Sequence, residues 1–435
     1  MGNLKEKILN KTATLGVCGL GYVGLPLAVE KAKAGYTVIG FDVQESKVKL
    51  VNEGKNYIGD VVDNDLAELV KNGKLKATSN FKDIASCDCV CICVPTPLDV
   101  HQEPDISYVK SSTEEIAKYL HKDMLIVLES TTYPGTTEEL LKPILEKTSG
   151  LKCGKDFYLA FSPERVDPGN LIYKTKNTPK VVGGCTPECT DIAATMYECV
   201  LEAPIHRVSS PSIAEMEKIL ENTYRNVNIG LINELARLCH KMNISIWEVI
   251  DAAKSKPYGF QAFYPGPGLG GHCIPLDPYY LTWKAREYGF HTTLIENSMV
   301  INDSQPAYVV DRAMHILNKY KKSINGANVL VLGVAYKQDI DDYRESPAIK
   351  VIEELQKVGA CVSYYDSYIP TFKDGNISMT SEKELTKDLL DSQDLVLITT
   401  AHTNIDYNFV ADNSKVIFDT KNVSKNIKSN NIELL

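Results

Sequence analysis

Apolar residues are spread along this chain with two different periods, and the change between them marks its organisation. Over the first third, short apolar runs at Thr14 to Cys18, Thr37 to Phe41, Cys87 to Val94 and Met124 to Leu128 read as buried strands, and Gly24 to Ala34 reads as a helix. Strand and helix in alternation imply a parallel sheet covered by helices on both faces. The period then becomes helical. Ile213, Met216, Leu220, Val227, Leu231 and Leu235 predict one helix from about Ser212 to Met242. Ser212 and Glu215, with Pro211 just ahead, have the spacing of a capping box. A helix of about 30 residues is longer than a globular domain normally needs and suits a bridge between domains. Further helices run to about Leu317. The alternation resumes with strands at Asn328 to Val334, Cys361 to Asp366, Leu395 to Thr399 and Val416 to Asp419, and a helix at Ser346 to Val358. The expected fold is α/β: two parallel-sheet domains joined by a helical middle with one long central helix, the boundaries falling at 1–205, 206–320 and 321–435.

Composition narrows the class. A chain of 435 residues is too long for one ordinary core and suits two or three domains. A formal charge of −9 argues against a duplex nucleic-acid partner. No apolar run approaches the roughly 20 residues of a membrane span. Met1 to Lys11 is polar and lacks the apolar core of a signal segment, so a cytoplasmic protein is expected. The 12 cysteines are then reduced thiols. Cys87, Cys89, Cys91 and Cys93 alternate along a strand, in a row rather than around a point, so no metal site is expected.

Gly19-Leu20-Gly21-Tyr22-Val23-Gly24 is a G-x-G-x-x-G pattern that follows a strand and opens a helix, the context required for a dinucleotide site. Its glycines allow a tight turn and let a pyrophosphate reach the helix N-terminus. With these features the two sheet domains are expected to be Rossmann-like. Asp42, at the end of the second strand, accepts hydrogen bonds from ribose hydroxyls and repels a 2′-phosphate, which favours NAD over NADP.

The second chemical signal is Pro265-Gly-Pro-Gly-Leu-Gly-Gly-His-Cys273-Ile-Pro-Leu-Asp277. Gly266, Gly268, Gly270 and Gly271 free the backbone to wrap a ligand, and Cys273 is presented at the end of that loop. If a helical turn starts there, Asp277 returns to the face of Cys273. His272 or a helix N-terminus would favour the thiolate, although His272 itself is expected to be structural or to line the pocket. Lys218 and Asn222, at i and i+4 on the long helix, project together and suit a developing oxyanion, although a solvated face also explains such a pair.

Together these residues resemble the UDP-glucose/GDP-mannose dehydrogenase family from Thr14 to about Val423. The similarity is carried by GLGYVGLPLA with Asp42, the turn at Val94 to Pro97, and Ser130-Thr131 ahead of Pro134 to Thr137. It continues through Ser162-Pro163-Glu164-Arg165, Glu215 to Lys218 with Asn222, GGHCIPLDP, and Lys337 to Pro347 with Arg344. The resemblance implies that Cys273 is the nucleophile, that Lys218 and Asn222 stabilise an oxyanion, and that Asp277 assists proton transfer. It implies that Thr131 holds a water and that Glu164 is an acid–base residue. Cofactor contacts would come from Gly19, Gly21, Tyr22, Val23, Gly24, Asp42, Lys47, Thr96, Ser130 and Thr131, and from Arg344 across a subunit contact. The substrate would meet Glu164, Arg165, Lys218, Asn222, Tyr264, Gly268 and Lys337, with the second sheet domain closing over its nucleotide end.

The activity so implied is NAD-dependent oxidation of the C6 hydroxyl of a UDP-sugar to the acid by way of a Cys273 thioester, in a homodimer, for surface polysaccharide or glycan synthesis. UDP-glucose enzymes of the family commonly carry a second glutamate four residues after the first, where this chain has Pro168. HCIPLDPYYL and YRESPA are similar to the branch acting on UDP-N-acetylhexosamines. UDP-N-acetylglucosamine is therefore the expected substrate, ahead of UDP-N-acetylmannosamine, UDP-N-acetylgalactosamine and UDP-glucose. A two-electron hydroxyacid dehydrogenase would need no thiol, and a non-enzymatic NAD-binding regulator would need no set of Cys273, Lys218, Asn222 and Asp277.

Overall fold

A computed structural model describes every residue except Met1, Gly2, Pro168, Leu171 and His272. The expectations placed on Pro168 and His272 therefore lie outside the described residues. The chain packs as two compact units, Met1–Glu221 with Tyr279–Phe290, and Asn222–Pro278 with His291–Leu435.

The first unit is built on eight strands: β1 (Thr14–Cys18), β2 (Thr37–Phe41), β3 (Leu75–Thr78), β4 (Cys89–Ile92), β5 (Leu125–Leu128), β6 (Tyr158–Phe161), β7 (Lys180–Gly184) and β8 (Ile205–Val208). Their order is β3-β2-β1-β4-β5-β6-β7-β8, and every pair is parallel except β6 with β7. The order reverses between β1 and β4, which opens a crevice at the carboxyl ends of those strands. Strand periodicity sends Leu15, Val17, Cys89, Cys91, Leu125 and Val127 into one core, and Cys18, Val90, Ile92, Ile126 and Leu128 into another. The row of four cysteines is interrupted. Cys89, Cys91 and Cys93 share the first core, but Cys87 precedes the strand and packs in the second.

The second unit holds β9 (Asn328–Leu332), β10 (Cys361–Tyr365), the hairpin β11 (Thr371–Asp374) and β12 (Ile377–Thr380), β13 (Leu395–Ile398), β14 (Ile417–Asp419) and β15 (Ile432–Leu434). Its main sheet is parallel throughout, in the order β10-β9-β13-β14-β15. Fold class thus follows the alternation of the sequence, with the antiparallel pair β6–β7 a departure from the expected parallel sheet and β3, β6, β7 and β8 additional to the strands expected. The hairpin and β15 do not follow it, because they are short and only partly buried, and such strands leave no apolar run.

The long helix spans Pro211–Lys241. Its start differs from the capping-box expectation. Because helical residues begin at Pro211, it is Ser210 whose hydroxyl accepts the Ile213 amide, at 3.4 Å. Glu215 turns away from its own helix end. It accepts the Thr137 amide and hydroxyl at 2.9 and 2.7 Å and the Gly135 amide at 2.6 Å. Burial pushes its carboxyl up to about 6 against those hydrogen bonds.

Candidate active site

At the carboxyl end of β1 the three loop glycines do different work. A Cβ on Gly19 would lie 2.5 Å from the Cys93 carbonyl oxygen, and one on Gly24 would lie 1.8 Å from the Gly19 oxygen. Both are glycine because the loop packs on itself. A Cβ on Gly21 would meet nothing within 4 Å, so this glycine keeps the space in front of the loop open for a ligand. Asp42 is buried; its carboxylate accepts the Leu20 and Gln44 amides, each at 2.9 Å, and Lys47 stands 3.8 Å away. An ionised carboxylate has about four lone-pair sites, so acceptors remain for a ribose. Val23 is half-buried against the core and Tyr22 is exposed. Ser130 donates to the Val94 carbonyl at 2.7 Å, the Thr96 carbonyl accepts the Tyr280 hydroxyl, and Thr131 beside them is half-buried. These residues fit a dinucleotide.

The glycine-rich loop is held from beneath. Asn233 accepts the Gly266 amide at 3.1 Å, and Gly268 has φ +139. A Cβ on Gly270 would lie 2.8 Å from both Tyr336 Cβ and Pro347 Cδ, and one on Gly271 would lie 2.8 Å from Tyr336 Cε2. At these two positions smallness serves contact with Tyr336 and Pro347, the residues flanking the Lys337–Ser346 segment, so the wrapping expected around a ligand is here wrapping around the protein's own side chains. Tyr264 stacks on Trp247 with ring centroids 6.2 Å apart.

A helix begins at Cys273 and runs to Ala285, with Cys273 exposed at its head and Asp277 only 1% exposed one turn on. The unpaired amides of a helix N-terminus stabilise a thiolate. Asn222 donates to Asp277 at 2.5 Å, and Asn226 donates to the Ile274 carbonyl at 3.1 Å, so the long helix grips the turn that carries the thiol. Lys218 lies one turn before Asn222 and is buried.

Sequence reasoning missed the layer below. Asn226 meets Ser298 and Asn302, Asn233 meets Asn302 and Gln305, and Arg237 donates twice to Gln305. This ladder of buried amides fixes the long helix against the helices Thr293–Asp303 and Gln305–Lys319 and supports Gly266. Its signal was present as Asn222, Asn226 and Asn233, spaced four and seven residues apart on one helical stripe. Lys421 was also missed. Its Nζ would lie 3.3 Å from a Cβ on Gly266, and burial pushes its ammonium down, with Asp419 opposing. It is a cation set against the glycine loop.

The loop after β6 places Glu164 and Arg165. Glu164 Oε1 accepts the Arg165 and Val166 amides at 2.8 and 3.0 Å, and Oε2 stands 3.5 Å from Lys180. Arg165 forks onto Glu221, lies 3.5 Å from Glu217, and donates to the Pro179 carbonyl at 3.1 Å. Burial, then the hydrogen bond and charge of Glu221, push Glu217 up to about 7. Arg344 is paired with its neighbour Asp342 at 2.7 Å, and Lys337 is half-buried beside Tyr336.

A doubly wound sheet with an open glycine loop and a buried carboxylate at its switch point is the architecture of a dinucleotide-binding domain. The chain belongs to the UDP-glucose/GDP-mannose dehydrogenase family. Its NAD-binding domain model matches residues 13–201, the central domain 212–304 and the UDP-binding domain 330–426. The UDP-N-acetyl-D-glucosamine 6-dehydrogenase of Pseudomonas aeruginosa is 39% identical over 82% of this chain and 84% of its own. Protein CapL of Staphylococcus aureus is 38% identical over 94% and 96%. The solved UDP-D-ManNAc dehydrogenase of Pyrococcus horikoshii superposes with a TM-score of 0.87 at 32% identity, covering 97% and 98% of the two chains. The protein is thus an NAD-dependent nucleotide-sugar dehydrogenase whose substrate is a UDP-sugar. No described helix is long and apolar enough to cross a membrane.

Proposed function

We propose that the protein oxidises the C6 hydroxyl of UDP-N-acetylglucosamine to the carboxylate in two steps, through a thioester on Cys273, in the cytoplasm, where its thiols stay reduced, and that the product feeds surface polysaccharide synthesis. The observation that carries this reading is the exposed thiol at a helix head whose first turn is pinned by Asn222 to a buried Asp277. NAD, when bound, accepts hydride at each oxidation. Lys218 and the second N–H of Asn222 hold the oxygen at C6 as charge develops on it. Asp277 receives the hydroxyl proton. The Cys273 thiolate then adds to the aldehyde carbon, which keeps the intermediate from escaping. After the second oxidation the bond is a thioester; water held at Thr131 attacks it, Glu164 handles the proton, and the C–S bond breaks to return the thiolate. Lys337 and Lys421 offer positive charge to the nucleotide end.

The working form is a homodimer. Ile213, Met216, Leu220, Tyr224, Leu231 and Leu238 are all exposed on the long helix, at spacings of three, four and seven that form one apolar stripe. A second copy of the same stripe would cover it. The test of the function is a panel of UDP-sugars scored by NADH formed per sugar. Two NADH with UDP-N-acetylglucosamine as the best substrate are expected. One NADH would replace the thioester scheme with a single oxidation, and a preference for another sugar would reassign the substrate.

A further inference from the structure

Lys180 and its neighbours form a deeply buried ionic cluster. Lys180 opens β7 and Glu129 directly follows β5; each is almost wholly buried. The Lys180 ammonium donates to Glu129 at 2.8 Å and to the Pro163 carbonyl at 3.1 Å, and faces the Glu164 carboxylate at 3.5 Å. Behind Glu129, the Tyr197 hydroxyl donates to its other oxygen at 2.5 Å, and Lys31 donates to Cys91 at 2.7 Å. Cys91 is therefore a hydrogen-bond acceptor as well as a packed thiol.

Charge decides what this cluster requires. Lys31 and Lys180 bring two positive charges and Glu129 one negative charge, and a surplus buried charge is strongly disfavoured unless it is offset. Glu164 supplies the offset. Burial alone would push Lys180 down, but the charges of Glu129 and Glu164 outweigh it and hold the ammonium above its ordinary range. Glu129 also leads directly into Ser130 and Thr131. One ammonium thus ties the loop after β5 to the loop after β6, the two loops to which cofactor, water and acid–base roles are assigned.

We infer that Lys180 is a positioning residue that acts through Glu164, setting the Glu164 carboxylate and the 162–166 loop in register with the Ser130–Thr131 loop for thioester hydrolysis. The inference rests on the proposed role of Glu164. A side chain misplaced by about 1 Å costs on the order of 10²-fold in rate, which is the loss expected on removing this tether.

The test uses the full-length protein and two readouts. Hydrogen exchange on the ligand-free protein follows the Arg165 and Val166 amides that the Glu164 carboxylate binds. In Lys180→Met these exchange about 10-fold faster while β1 and β5 keep their protection, and Lys180→Arg restores them. Turnover of NAD with the best UDP-sugar is the second readout. Lys180→Met lowers kcat by about 10²-fold with KM for NAD within about 3-fold, and adding it to Glu164→Gln changes kcat by less than about 3-fold, because both changes act on one carboxylate. Unchanged exchange at Arg165 and Val166, protection lost equally in β1 and β5, or the same fall in kcat in both backgrounds would each overturn the inference. If Lys180→Met does not fold, Lys180→Gln, uncharged but still able to reach Pro163, is held to the same thresholds. A wild-type protein that oxidises no UDP-sugar overturns the functional reading alone, and the exchange arm still decides the role of Lys180.

Discussion

Alanine at Gly21 and at Gly24 separates the two jobs of the dinucleotide loop. Neither glycine has positive φ, so backbone strain does not enter and the outcome depends on what the new methyl meets. At Gly24 it would lie 1.8 Å from the Gly19 carbonyl oxygen, well inside ordinary contact distance, so the loop and the Gly24–Lys33 helix must part. Overpacking of this kind costs about 3 kcal/mol, or a fall in Tm of roughly 6–12 °C for a unit of this size. At Gly21 the methyl meets nothing within 4 Å and the protein should keep its wild-type Tm. The same methyl stands where the pyrophosphate must approach. Losing one charge-assisted hydrogen bond costs about 1.5–3 kcal/mol, or about 10–100-fold in Kd. Thermal unfolding followed by circular dichroism, paired with calorimetric titration of NAD, reads both effects. Wild-type NAD affinity in Gly21→Ala, or equal destabilisation by the two variants, would refute this division of labour.

Cys273→Ser should lose net acid formation, because a hydroxyl is a far weaker nucleophile at neutral pH; two NADH per sugar at near wild-type rate would remove the thioester. Glu164→Gln should give a burst of NADH close to two per active site followed by slow turnover, with a UDP-uronyl adduct on Cys273 visible by intact-protein mass spectrometry. A slow enzyme with neither burst nor adduct would move Glu164 to an earlier step. Glu217 is held up to about 7 from an ordinary value near 4.5, so folding favours its protonated form and the native state loses stability as pH rises from about 4.5 to about 7. Glu217→Gln should therefore leave Tm unchanged near about pH 4, below the unfolded value, and raise it near about pH 8. Identical Tm differences at both values would show that Glu217 does not titrate in this way.

Local signals made much of the protein legible from its sequence. The central strands of both sheets appeared as buried apolar runs, the long helix as a helical period, and the dinucleotide loop as three glycines with an acidic residue one strand later. Each of these is set by the nearest few residues along the chain. The turn from Cys273 to Asp277 was readable for the same reason, since i and i+4 share a face whenever a helix forms. Tertiary structure decided what those side chains touch. Lys180 and Glu129 are 51 residues apart, and Asn226 and Asn302 are 76 apart; no spacing rule joins them, and their pairing follows from strand order and helix packing. The same holds for Glu215, which sequence spacing assigned to a helix cap and packing assigned to Gly135 and Thr137. Gly270 and Gly271, read as room for a ligand, are small because Tyr336 and Pro347 press on them. A glycine records only that space is needed. Which group fills it, and which partner a buried charge takes, is settled when distant segments meet, because desolvation admits a charge to the interior only where a partner already stands.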